Sequence, residues 1–272
     1  MATVFGNGAI LTMNPGLPRA DWIVVEGSTI TGVGLGAAPR TAHSFDLDGR
    51  CLLPGFQDAH VHPPKAGLVM NRCDLHDVDP AKHLDTIRDY ATGNPDEPWI
   101  LGGGWAMHDY PGGIALASVL DEAVADRPVL LHGAEGHGAW VNTRALEIAG
   151  IDAASSDPAD GRIERLADGS PSGTLQEGAV DLVESHTPPV TVDQLRAGIA
   201  TAQRYLTDLG ITGWQDAWVT ELDQAAYLEA DAAGELQADV VGALWWDRGR
   251  GMEQIDELIE RSRAGSARFR PS

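Results

Sequence analysis

Cysteine, lysine and long apolar runs are all scarce in this chain of 272 residues. Cys51 and Cys73 are the only cysteines and follow no C-x-x-C spacing, which argues against a disulfide framework and for a reducing cytosol. No apolar run approaches the roughly 20 residues that span a bilayer. The N-terminal MATVFGNGAILTMNPG lacks a charged segment followed by a long apolar stretch, so no signal peptide is read there. A soluble, cytoplasmic protein is expected. Positive charge is scarce as well: 19 Lys and Arg against 40 Asp and Glu leave a net charge of −21. That balance argues against nucleic acid and anionic membranes as partners, because phosphate binding needs cationic patches. Lysine occurs only at 65 and 82, and no histidine follows His186.

What is present is a globular composition on a chain long enough to bury a real core. The first fifty residues read as short strands, TVFGNGAIL, DWIVVEGSTITGVG and HSFDLDGRCLLPG, with a hairpin turn at Glu26-Gly27-Ser28. Such a layer is too small to be stable alone. From residue 51 strand-like runs alternate with helix patterns, the signature of βα units. The helices include NTRALEIAG, opened by Asn142 and closed by Gly150, and TVDQLRAGIATAQRYLTDLG, with Thr191 as its N-cap. Residues 151–189 read as a loop-rich stretch.

Chemistry concentrates in CLLPGFQDAHVHP, residues 51–63. In a strand, residues i and i+2 share a face, so His60 and His62 aim into one space, and two imidazoles make half of a transition-metal site. A pair of ordinary strand histidines is the competing reading. Asp58 has the same strand parity, either supporting a ligand ring or bonding backbone at the strand end. His132 reads as a core histidine, and His43, His76, His83, His108 and His186 as surface or loop residues.

LLPGFQDAHVHP after a short β-layer resembles the opening of the amidohydrolase superfamily. LHGAEGHGAWVNTRALEIAGI, DPADGRIERLADGSPSGTLQEGAVDLV, GGGWAMHDYPGG and GITGWQDAW resemble its amidohydrolase-3 branch, which includes N-substituted formamide deformylases. The resemblance implies an α/β fold: a partial (β/α)8 TIM barrel of the metal-dependent hydrolase type over 51–272. A small N-terminal β-layer over 1–50 and an inserted subdomain at about 99–189 accompany it. It further implies that His60 and His62 bind a divalent metal, zinc being the expected ion, one or two per intact member. His137 and Glu177, in the two branch-specific stretches, and Asp216 are the candidates for contact with a small amide substrate. Each has a structural alternative: loop and turn contacts for the first two, a helix cap for Asp216.

Members of this family carry a lysine on the fourth strand, later histidines and a final-strand aspartate. None has a counterpart here, so the resemblance implies the N-terminal half of a member, without its catalytic aspartate. The activity expected of the intact protein is metal-dependent hydrolysis of a non-peptide C–N bond in an amide or N-substituted formamide. The alternative is a catalytically incomplete fragment or pseudoenzyme serving as a binding or assembly module. A second copy or a complementary C-terminal half is the expected macromolecular partner.

Overall fold

Short apolar and β-branched runs punctuated by Gly, Asn and Pro fold as strands at the start of the chain in the computed structural model, which describes residues 1–41 and 43–272. They belong to a first unit, Met1–Asp58 with Gly210–Gly213. Here β1 (Ala2–Leu11), β2 (Arg19–Glu26), β3 (Thr29–Gly34) and β4 (His43–Asp46) form a sheet in the order β3-β2-β1-β4, and β5 (Cys51–Leu52) also pairs with β1. β1 runs antiparallel to β2 and parallel to β4 and β5. The β2–β3 hairpin turns through Gly27, whose φ of 60° is a left-handed conformation that glycine adopts without a Cβ penalty. Ile10, Ala20 and Leu47 form its buried core, with Phe5, Ile23, Val33 and Leu52 packed against them.

The second unit comprises Ala59–Leu209 and Trp214–Ser272. β6 (Phe56–Val61), whose first three residues belong to the first unit, leads directly into α1 (Pro63–Met70) and β7 (Cys73–Asp74). α2 (His83–Gly93), β8 (Ile100–Trp105), α3 (Ala117–Asp121), β9 (Val129–Gly133), β10 (Gly138–Val141) and α4 (Thr143–Ala149) follow. Next come β11 (Gly161–Arg165), β12 (Pro171–Glu177), α5 (Asp181–Glu184) and α6 (Val192–Asp208). The chain then runs through β13 (Ile211–Val219), α7 (Glu221–Ala232), β14 (Asp239–Leu244), α8 (Ile255–Arg263) and β15 (Phe269–Pro271).

Six of these strands form a mixed sheet in the order β11-β12-β10-β9-β8-β7. Pairing is parallel from β7 to β9 and antiparallel from β9 through β10 and β12 to β11. A second sheet has the order β15-β14-β13-β6, with β14 and β15 parallel. Asn142 ties β9 to α4 from a fully buried position. Its Oδ1 accepts from the backbone N–H of Val129 and of Ala145, both at 3.0 Å, and its Nδ2 donates to the carbonyls of Val124 and Arg127, both at 2.9 Å. α1 and α6 cross at backbone distance: a Cβ on Gly67 would lie 1.9 Å from the Gly198 carbonyl oxygen. Only glycine fits there.

The architecture is mixed α/β with parallel pairing. Several local expectations change. The run 51–62 is not one strand; Leu53-Pro54-Gly55 separates β5 from β6, and Pro54 has no N–H to give a ladder. Residues 63–70 form α1, and the prolines at its start occupy positions whose N–H groups have no intrahelical acceptor. The loop-rich stretch holds the β11–β12 hairpin, closed by Gly169 at φ 86° beside Asp168, whose carboxylate accepts from the Ser170 N–H at 3.0 Å. Its Gly, Asp and Ser residues mark the turn and not a whole loop. His83 is buried on α2, with Nδ1 2.8 Å from the Tyr110 hydroxyl and Nε2 3.2 Å from the Val78 carbonyl. Among the described residues, no helix is long and apolar enough to cross a membrane.

Candidate metal centre

β6 and the first turn of α1 position the central pair. His60 is exposed near the end of β6, and His62 is the residue before α1, its carbonyl accepting from the Ala66 N–H at 3.0 Å. Their ring centroids are 5.2 Å apart and the rings nearly perpendicular, at 74°. The turn out of the strand therefore leaves two imidazoles side by side on the surface.

Behind His62 lies Asp216 on β13, fully buried, with Oδ1 3.5 Å from His62 Nδ1. The same Oδ1 accepts from the Trp218 N–H at 3.1 Å, and Oδ2 accepts from the Tyr227 hydroxyl at 3.0 Å. Burial pushes the Asp216 carboxyl above the ordinary carboxylate range; the Trp218 N–H and Tyr227 hydroxyl pull the other way. Burial, with Asp216 close by, holds the Tyr227 phenol well above its usual value, so it serves as a donor. Asp216, a candidate for substrate contact or a helix cap, lies against the His62 imidazole, as a carboxylate that orients a ring does.

On the outer side, Trp218 meets His62 edge-on at 6.0 Å and packs on Trp245 at 4.9 Å. Lys65 Nζ lies 4.4 Å over the Trp218 ring and donates to Asp223 Oδ2 at 2.9 Å and to the Trp218 carbonyl at 3.1 Å. Asp223 is itself the third residue of α7, capping it with Thr220 through bonds of 2.9 and 2.7 Å. Lys65, Trp218, Asp223 and Tyr227 escaped the sequence reading. The Thr220-x-x-Asp223 spacing at the helix start was the one signal that could have found Asp223.

The other candidates are His137, Glu177 and His132, in the second unit, and Asp58, the last residue of the first stretch of the first unit. His137 Nδ1 is 3.1 Å from Glu177 Oε1, both side chains largely exposed, and the Glu177 N–H donates to the His137 carbonyl at 2.8 Å. Glu177 has φ 49°, an uncommon conformation for a residue with a Cβ. His132 Nε2 lies 3.6 Å from Glu184 Oε1, and this imidazole holds the Glu184 carboxyl below its usual value against the opposing effect of burial. Asp58 is half-buried on β6.

Comparison with known proteins places this arrangement. Residues 44–271 match the amidohydrolase family. The chain belongs to that family. The amidohydrolase chain is 32% identical over 212 residues to the protein LONG AFTER FAR-RED 3 of Arabidopsis thaliana, covering 76% of this chain and 36% of that protein. It is 31% identical over 188 residues to the N-substituted formamide deformylase of Arthrobacter pascens, covering 66% of this chain and 35% of that enzyme. The chain thus spans little more than a third of the length of these two relatives. Its fold resembles that of an uncharacterized metal-dependent hydrolase from Pyrococcus furiosus, with a TM-score of 0.68 and 21% identity, over 99% of this chain and 55% of that one.

The donor chemistry tests the expected divalent cation. Two adjacent imidazoles, one backed by a carboxylate, suit a borderline-soft ion. Among the described residues, no group of three or more His, Cys, Asp and Glu side chains is placed to hold a metal. The two imidazoles are candidate donors, one fewer than the three protein ligands of a catalytic zinc site.

Proposed function

We propose that this chain carries the metal-anchoring strand of an amidohydrolase that cleaves a non-peptide C–N bond, in an amide or an N-substituted formamide. The observation that carries the reading is the pair of rings at the end of β6, His60 and His62, 5.2 Å apart. His60 and His62 would hold a divalent cation, with zinc as the ion of choice. Bound there, the cation would supply water activation and carbonyl polarisation. The chain's own residues do the rest that can be assigned: Asp216 fixes the His62 ring from behind, and Trp218, pinned by Lys65, walls the outer side. Two free thiols, Cys51 exposed and Cys73 buried, accord with a reducing compartment such as the cytoplasm.

A second reading has its own support. With two donors at the site, the chain acts as a binding or assembly module that a second copy or a complementary chain completes. The test is to purify the chain, titrate it with zinc in a calorimeter and assay it against a panel of N-formyl and N-acyl amines. Zinc-dependent turnover that His60→Ala abolishes supports the hydrolase reading. Weak zinc binding without turnover, also lost in His60→Ala, supports the anchor within an incomplete site. Zinc binding that survives His60→Ala and His62→Ala together sinks both.

A further inference from the structure

A cavity of about 140 Å³ opens where α1, α2, β8 and α6 meet, and it is lined by residues of both charge signs. Its polar lining includes Arg72, Tyr90 and Glu97, and its apolar lining includes Leu68 on α1 and Trp99 just before β8. Trp99 is buried, Arg72 and Tyr90 are half-buried, and Glu97 is exposed. The lining therefore combines apolar side chains with a half-buried guanidinium and phenol and an exposed carboxylate.

Arg72 is unusual in that setting. Among the described residues, its guanidinium has no hydrogen-bond or salt-bridge partner, and neither does the Tyr90 hydroxyl. Burial disfavours the guanidinium charge, while Glu97 and Glu184 favour it through space. A guanidinium left in a half-dry site presents a planar fork of donors suited to a carboxylate. Burial also holds the Tyr90 phenol above its usual value, which keeps it protonated and able to donate. Glu97 at the rim offers the opposite charge to the other end of a ligand.

We propose that this cavity binds a small zwitterion, a free aliphatic amino acid. Its carboxylate would be held by Arg72 and Tyr90, its ammonium by Glu97, and its short side chain would lie against Leu68 and Trp99. A ligand bearing a carboxylate alone would leave Glu97 facing a like charge.

The test is calorimetric titration of the full chain with alanine, alaninamide, ethylamine and propionate. Saturable binding of alanine is expected, weakened about tenfold or more in each analogue, as befits the loss of a charged hydrogen-bonded pair. Arg72→Gln should weaken alanine binding by about the same factor, and Glu97→Gln should bring alanine down towards propionate. The ligand series on the unmodified chain decides the matter even if Arg72→Gln fails to fold. No saturable heat with alanine, equal binding of alaninamide or propionate, or unchanged binding in a folded Arg72→Gln variant would each overturn the assignment.

Discussion

β9 and β6 are strands of five and six residues with opposite surroundings. In β9, Val129, Leu130 and Leu131 are almost wholly buried, and the neighbouring β10 is buried along its whole length. In β6, Phe56, Gln57, Ala59 and His60 are all exposed. Apolar burial is the main favourable term in folding, so the six-stranded sheet carries the stability of the second unit. The strand with the candidate histidines, at the end of the order β15-β14-β13-β6, carries little of it.

The sharpest way to break this contrast is to cut into the six-stranded sheet. Trp140→Ala removes a fully buried ring that packs 6.1 Å from Trp105 and donates to the Leu116 carbonyl at 2.9 Å. A loss of about 3–5 kcal/mol is expected from urea unfolding. Asn142→Ala should follow at about 3 kcal/mol, since it removes a helix cap and strands buried backbone groups on both sides. If either variant unfolds at the same urea concentration as the parent chain, the sheet is not where the stability lies.

His60→Ala tests the other side of the comparison. Being exposed, it should change stability by no more than about 0.5 kcal/mol, while zinc binding seen by calorimetric titration is lost. A large drop in unfolding midpoint would show that β6 is a structural strand after all.

The two cysteines extend the contrast to reactivity. Cys51 is exposed, whereas burial, with Asp74 adding to it, pushes the Cys73 thiol up to about 12. A thiolate-selective reagent at pH 8 should label Cys51 in the native chain and reach Cys73 only on unfolding. Labelling of both at equal rates would mean that β7 opens readily.

The smallest effect concerns acid. The Glu184 carboxyl is held low by the His132 imidazole, so the stability it contributes is present above its unfolded value, about 4.3. That contribution is lost as pH falls through the lower folded value. Both side chains are partly exposed, at 37% for His132 and 51% for Glu184, so the pair is worth only tenths of a kcal/mol. Glu184→Gln should therefore flatten the midpoint-against-pH curve slightly below about pH 4.3, where the carboxyl protonates, and leave neutral stability nearly unchanged. An unchanged slope would remove His132 from the account.

Local features were legible in the sequence because their causes are local. Gly27 marks its hairpin, Thr191 and Asn142 cap their helices through side-chain oxygens, and Gly150 closes α4 at φ 66°. The i, i+2 spacing of His60 and His62 required only the strand repeat. Tertiary structure alone decided what surrounds them. Asp216 reaches His62 across 154 positions and Lys65 reaches Asp223 across 158, and no periodicity encodes such pairs. The same holds for His83, whose burial depends on Tyr110, and for Arg72, whose lack of a partner becomes visible only once α1, α2 and α6 enclose it. Hydrogen bonds within a turn are set by a few neighbouring residues, whereas burial and long-range pairing are set by how whole elements pack. The sequence by itself determined the capped helices, the hairpin turn and the paired histidines, and packing decided which carboxylate stands behind which imidazole.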